Sequence, residues 1–185
     1  MRIITGKWKG RALSAPTKAE TRPTADKAKE TLFSLIENYL LKTGKSWKDV
    51  VFVDAFAGSG AVGIEALSRG AKQVIFIEEN PDAIRTVYKN LPEKDKAIVY
   101  RDNLRLLKAK GTVATVIFLD PPYQQGLIPI ALKQLNRRGY ITEDTLIIAE
   151  TEDKEEIKLQ SDFEIQDSRR SGRARFHFMH KTKTV

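Results

Sequence analysis

From residue 50 onward the chain alternates short, continuous apolar runs with amphipathic stretches. The run 50–53 precedes a helical pattern that ends at Arg69 and is stopped by Gly70. The run 74–77 precedes a helix opened by Asn80-Pro81. The series continues with 98–100, a short helix near 104–108, the run 113–119, a helix near 127–136 and the run 146–149. Apolar runs without polar alternation are expected of strands covered on both faces, and their alternation with helices predicts an α/β, doubly wound parallel sheet. The tail departs from this pattern: 163–165 and 174–179 flank a basic stretch containing Gly172, as in a closing hairpin, so the sheet is predicted to be mixed. Upstream, residues 2–13 read as a short hairpin, with Ile3 and Ile4 answering Ala12 and Leu13 across a turn near Gly6 to Gly10. A polar loop over 14–23 follows. Thr24 then caps a helix with apolar positions Ala28, Leu32, Leu35, Ile36, Tyr39 and Leu40, running to about Leu41 and ending near Gly44. The expectation is one domain over 1–185, with residues 1–44 as a hairpin, loop and helix appendage and 45–185 as the core.

Composition narrows the chemistry. The 185 residues suffice for one well-formed core and leave little room for a second domain. No run of about 18 apolar residues occurs, and the first residues are too polar for a signal peptide, so a soluble, cytoplasmic protein is expected. Cysteine is absent and the two histidines, His177 and His180, sit near the C-terminus; no metal site is expected. The net charge is +8, concentrated at the two ends. Lys7, Lys9, Arg11 and Arg22 belong to the first cluster, and Arg169, Arg170, Arg173 and Arg175 to the second. Such ends suit a phosphate backbone, although charge runs are often only a solvated face.

Two loops carry the candidate chemistry. Asp54-Ala55-Phe56-Ala57-Gly58-Ser59-Gly60-Ala61-Val62-Gly63 joins a strand to a helix and satisfies G-x-G-x-x-G. Alone that fingerprint also fits a nicotinamide-dependent oxidoreductase. A pyrophosphate, however, favours exposed amides without a neighbouring carboxylate, whereas Asp54 sits at the mouth of the loop; the sulfonium and ammonium groups of S-adenosylmethionine suit it better. Glu78, about 20 residues further on, has the spacing of an acid that reaches ribose hydroxyls. Asp102 can accept from an adenine amino group with the Asn103 backbone nearby, or act merely as a cap. The second loop, Asp120-Pro121-Pro122-Tyr123, follows the buried run ending at Leu119. Consecutive prolines stiffen it and remove two backbone donors, leaving acceptors to face a substrate. A base amino group is planar and weakly nucleophilic; the Asp120 carboxylate and the Pro121 carbonyl can each hold one N–H and favour a pyramidal nitrogen. Tyr123 can stack on a flipped base.

These residues resemble the RsmD-type bacterial 16S ribosomal RNA guanine-N2 methyltransferases. The likeness runs almost end to end and rests on residues 1–11, Thr21-Arg22-Pro23-Thr24, 54–60, 65–71, Phe76-Ile77-Glu78 and 120–123. It implies a Rossmann-like class I methyltransferase fold with a seven-stranded mixed sheet and helices on both faces. It further implies S-adenosylmethionine as donor, and a guanine of 16S rRNA in a partly assembled small subunit as target of a monomeric enzyme. Carried over by motif, Asp54, Phe56, Gly58, Gly60, Glu78, Asp102 and Asn103 form the cofactor pocket, and Asp120, Pro121 and Tyr123 the acceptor site. Lys7, Lys9, Arg11, Arg22 and Arg173 face RNA. The chain departs from the family at Ser171-Gly172, where an aromatic residue is expected before the glycine. Competing readings are an adenine-N6 or cytosine-N4 methyltransferase on RNA or DNA, the oxidoreductase, and a non-catalytic RNA-binding module.

Overall fold

The computed structural model describes residues 1–16 and 26–182. Its elements in chain order are α1 (Asp26–Lys42), β1 (Val51–Ala55), α2 (Ala61–Arg69), β2 (Gln73–Glu78), α3 (Pro81–Asn90), β3 (Ala97–Arg101), β4 (Val116–Leu119), α4 (Leu127–Arg137), β5 (Leu146–Glu152), β6 (Phe163–Ser171) and β7 (Ala174–Lys181). The strands form one seven-stranded sheet in the order β3-β2-β1-β4-β5-β7-β6. The first five are parallel; β7 runs antiparallel to both β5 and β6. This is the mixed sheet with helices on both faces that characterises class I methyltransferases.

The apolar runs lack alternation because each strand is buried on both sides. Phe52, Val74, Phe76, Val116, Phe118, Leu146 and Ile148 pack with α1, α2 and Val87 of α3. Their neighbours Val53, Ala55, Ile75, Ile77, Ile117, Leu119, Ile147 and Ala149 pack on the other face with Ile128, Ala131, Leu132 and Leu135 of α4. Helix ends follow local chemistry. Asn80 accepts from the amides of Asp82 (2.8 Å) and Ala83 (3.4 Å) at the start of α3, and Gly70 closes α2 at φ 106°.

The N-terminal segment forms a hairpin whose single bridge pairs Arg2 with Ala12, and Ile3 and Leu13 enter the same core as α1 and α2. Glu65 of α2, fully buried, accepts from the amides of Ile4 (2.7 Å) and Thr5 (2.9 Å), while Lys7 N–H donates to the Ser68 carbonyl (2.7 Å). A Cβ on Gly6 would lie 1.9 Å from that carbonyl oxygen, so the hairpin reaches α2 only with glycine there. Lys29 of α1, 1% exposed, completes the junction 3.7 Å from Glu65, and Arg69 bonds Glu65 at 3.1 Å. Burial lowers the Lys29 pKa against the opposing pull of Glu65.

Two elements differ from expectation. Of the run 113–119 only Val116–Leu119 forms a strand, with Val113 exposed. The short helix expected near 104–108 is a loop. Asp102 draws the amides of Lys108 and Ala109 onto one carboxylate oxygen (2.8 Å each), and Asn103 takes the Arg105 amide (2.7 Å). Leu104 and Leu107 are buried, so their helix-like spacing comes from a turn wrapped around Asp102. Thr24, expected to cap α1, lies outside the described residues, as does Arg22.

Candidate active site

Four consecutive parallel strands, β2, β1, β4 and β5, each place a carboxylate at or close to the C-terminal end: Glu78, Asp54, Asp120 and Glu150. All four share the parity of Phe76, Phe52, Phe118 and Ile148, which pack toward α1 and α2, so they form an acidic row along one side of the sheet's C-terminal edge. In a doubly wound fold that edge, at the crossover between β1 and β4, is where ligands collect. The row is anionic in a protein whose net charge is +8.

The Gly-rich loop is built onto two of these acids. Asp54, 2% exposed, accepts the Gly63 amide at 2.8 Å, and Glu78 accepts the Gly58 amide at 2.8 Å together with those of Glu79 and Asn80 at 2.9 Å. Burial pushes Asp54 up to about 7, with the Gly63 N–H opposing and the charge of Glu78 adding. The three glycines do different work. A Cβ on Gly63 would meet the Phe76 ring at 2.4 Å, so Gly63 lets α2 close onto β2, and one on Gly60 would meet Val87 of α3 at 3.2 Å and Phe76 at 3.3 Å, so Gly60 lets the loop pack against both. Gly58 faces open space. Phe56, at the unusual φ of 66°, donates its amide to the Ile77 carbonyl, as does Ala57, bending the chain out over β2. Asp102 holds its loop through the amides of Asn103, Lys108 and Ala109, and the Asn103 side chain donates to Glu79.

At the second loop Asp120 is half-buried beside buried Pro121, and a cavity of about 150 Å³ opens along Pro121, Pro122 and Leu127. Asp120 is pushed well above the usual carboxylate range by burial, then by Glu150 and Asp54. Glu150, 6% exposed, accepts the Tyr123 hydroxyl at 3.1 Å through Oε1, and its Oε2 is buried without a hydrogen-bond partner. Its pKa is also raised by burial, with the Tyr123 hydroxyl opposing. Sequence reasoning passed over Glu150. The signal was present, because Leu146-Ile147-Ile148-Ala149-Glu150 repeats the pattern of Val116-Ile117-Phe118-Leu119-Asp120: an apolar run closed by an acid.

The described basic candidates fall on two segments. Lys7, Lys9 and Arg11 are exposed on the hairpin, Lys7 pairing with Glu93. Arg173 is exposed at the β6–β7 turn. Its neighbours are partly neutralised: Arg170 (3.1 Å) and Arg175 (2.9 Å) both meet Asp153, and Arg169 meets Asp167 at 2.9 Å. Among the described residues no group of three or more histidines and acids is arranged to hold a metal, and no helix is long and apolar enough to cross a membrane.

The family described as conserved hypothetical protein 95 matches residues 1–180. The chain is 35% identical over 155 residues to Ribosomal RNA small subunit methyltransferase D of Escherichia coli K12, covering 82% of this chain and 75% of that protein. The chain belongs to the RsmD methyltransferase family. This RsmD-family chain is also 38% identical over 164 residues to Putative rRNA methyltransferase YlbH of Bacillus subtilis, with 85% of each covered. Among solved structures, Putative methyltransferase yhhF from Escherichia coli superposes with a TM-score of 0.80 at 32% identity, over 100% of the RsmD-family chain and 99% of that one. A Salinibacter ruber RNA methyltransferase, solved in complex with S-adenosyl-L-homocysteine, shares the fold at 16% identity and a TM-score of 0.61, over 82% of this chain and 93% of that one.

Proposed function

We propose that this protein transfers a methyl group from S-adenosylmethionine to the exocyclic N2 amine of a guanine in 16S rRNA, within a partly assembled small subunit. The observation that carries the reading is the acidic row running from the Gly-rich loop into Asp120-Pro121-Pro122-Tyr123. A dinucleotide pyrophosphate is anionic and would meet Asp54 at the wrong sign, whereas a donor bearing a sulfonium and an ammonium group is matched to it. When bound, S-adenosylmethionine supplies an electrophilic methyl group.

The protein's own residues do the rest. Gly58, with open space where a side chain would stand, lets the backbone approach the cofactor closely. Glu78 and Asp102 each accept three backbone amides out of roughly four acceptor positions on a carboxylate, which fixes their direction and leaves about one position each, for a ribose hydroxyl and an adenine amine respectively. Asp54 and Phe56 shape the loop from below, and Gly60 and Asn103 complete the pocket. Asp120 and the Pro121 carbonyl hold the two N–H bonds of the target amine so that its lone pair is free, and Tyr123 stacks on the base. The extruded guanine is reached from the basic surfaces of Lys7, Lys9, Arg11, Arg22 and Arg173, which hold the RNA backbone. The protein acts as a cytoplasmic monomer.

Replacing Asp120 with alanine is expected to slow transfer by roughly 10²-fold or more while leaving cofactor affinity nearly unchanged. A variant that turns over normally would remove Asp120 from the reaction. A parallel thermal-shift comparison separates the donors: S-adenosylhomocysteine should raise Tm and NAD should not.

A further inference from the structure

Glu150 is buried within β5, close to the strand's C-terminal end at Glu152, in a place the acceptor motif alone does not predict. Leu119 of β4 pairs in register with Ala149 of β5, so Asp120 and Glu150 are the next residues on neighbouring strands about 4.8 Å apart, on the same face of the sheet. Glu150 also reaches the far end of the motif, because the Tyr123 hydroxyl donates to its Oε1 at 3.1 Å. Its other oxygen is inaccessible and meets no donor. Leaving a buried charged oxygen unsatisfied is costly, and among the described residues neither Asp120 nor Glu150 is ion-paired with a cation. Among the described residues, the groups acting on the pair are Asp54 from β1, which adds negative charge at Asp120, and Tyr123, which donates to Glu150. A single proton held between the two carboxyl groups satisfies the orphaned oxygen and relieves the repulsion.

We propose that Glu150 is a positioning residue for the acceptor site, sharing one proton with Asp120 and thereby clamping both ends of Asp120-Pro121-Pro122-Tyr123. This rests on the reading that Asp120 accepts from the target amine. When the common proton lies on Glu150, its O–H donates to one Asp120 oxygen, leaving the other to accept the amine in a fixed plane. Losing that proton places two anions side by side and turns Asp120 away from the substrate; gaining a second removes the acceptor. Burial raises both groups, with the charges of Glu150 and Asp54 adding at Asp120 and the Tyr123 hydroxyl opposing at Glu150, which favours holding one proton in the pair.

The pair has a readout independent of turnover. In an Asp54→Asn background, which silences the other buried acid of the row, infrared spectra at neutral pH should show the carbonyl stretch of a neutral carboxylic acid, and adding either Glu150→Gln or Asp120→Asn should abolish it. No such band in the background protein, or a band that survives Glu150→Gln, overturns the proposal. Single-turnover transfer in the otherwise native protein gives the second test. Glu150→Gln retains a donor toward Asp120 and should keep the rate within about tenfold, without the alkaline decline of the native enzyme; Glu150→Leu should lose roughly 10²-fold with unchanged cofactor affinity. Because removing a buried acid need not destabilise the fold, Glu150→Leu is expected to remain folded. A native rate in Glu150→Leu contradicts the positioning role. Asp120→Ala separates the two claims: if it transfers normally while the infrared band behaves as expected, the shared proton stands and the acceptor reading fails.

Discussion

The residues at the strand ends set how stability depends on pH. Asp54 ionises at about 7 in the native protein against an ordinary value of 3.8, because burial outweighs the Gly63 N–H. As pH rises from about 4, the unfolded chain releases this proton while the native chain still holds it, so native stability falls until the folded pKa is passed. Asp120 and Glu150 act in the same direction. Urea midpoints of the native protein should therefore fall between about pH 4 and pH 7, and those of Asp54→Asn should fall less. Parallel curves for the two proteins would show that Asp54 ionises normally. At this scale the sequence was informative wherever an acid closed an apolar run next to a recognisable loop. Glu150 closes a run too, but no glycine or proline follows it, so nothing local distinguished it from a solvated strand end.

Among the elements, the contacts that attach the hairpin to α2 were beyond the reach of periodicity. Glu65 lies about sixty positions from the amides it accepts, and its place in the helical pattern reads simply as a polar residue on an amphipathic helix. In three dimensions it is the fully buried centre of a cluster with Lys29 and Arg69. Glu65→Ala removes the carboxylate that offsets the buried Lys29 charge, leaving it the Arg2 carbonyl, and leaves two hairpin amides unsatisfied, so a loss of roughly 3–5 kcal/mol is expected from chemical denaturation. A change within experimental error would mean that the hairpin is not anchored there. The α2–β2 contact makes a separate demand: Gly63→Ala drives a methyl group into the Phe76 ring and should cost roughly 1–3 kcal/mol. The strands and most helices were legible because burial on both faces writes itself into continuous apolar runs. The loop at 104–108 was not, since two leucines buried by a turn around Asp102 have the same spacing as two on a helix face.

Across the whole molecule, acids line the C-terminal edge of the sheet, the β6–β7 turn with exposed Arg173 stands beside the end of β5 at that same edge, and Lys7, Lys9 and Arg11 are exposed on the N-terminal hairpin. That arrangement suits a small cationic donor held within reach of a polyanionic acceptor. Reversing Lys7, Lys9 and Arg11 together should weaken RNA binding and flatten its salt dependence, the slope falling by roughly 0.7–0.9 for each phosphate that the hairpin no longer neutralises. Equal affinity and slope in the variant would remove the hairpin from the interface. The C-terminal arginines, by contrast, spend much of their charge on Asp153 and Asp167, so the second basic cluster is weaker than its composition suggests. The central claim joins donor, acceptor and atom in one reaction. It is tested most directly by incubating the protein with isotopically labelled S-adenosylmethionine and undermethylated small ribosomal subunits, then digesting the RNA and identifying the labelled nucleoside by mass spectrometry. The account predicts label in N2-methylguanosine at a single site of 16S rRNA; label in N6-methyladenosine or N4-methylcytidine, or none in the RNA, would contradict it.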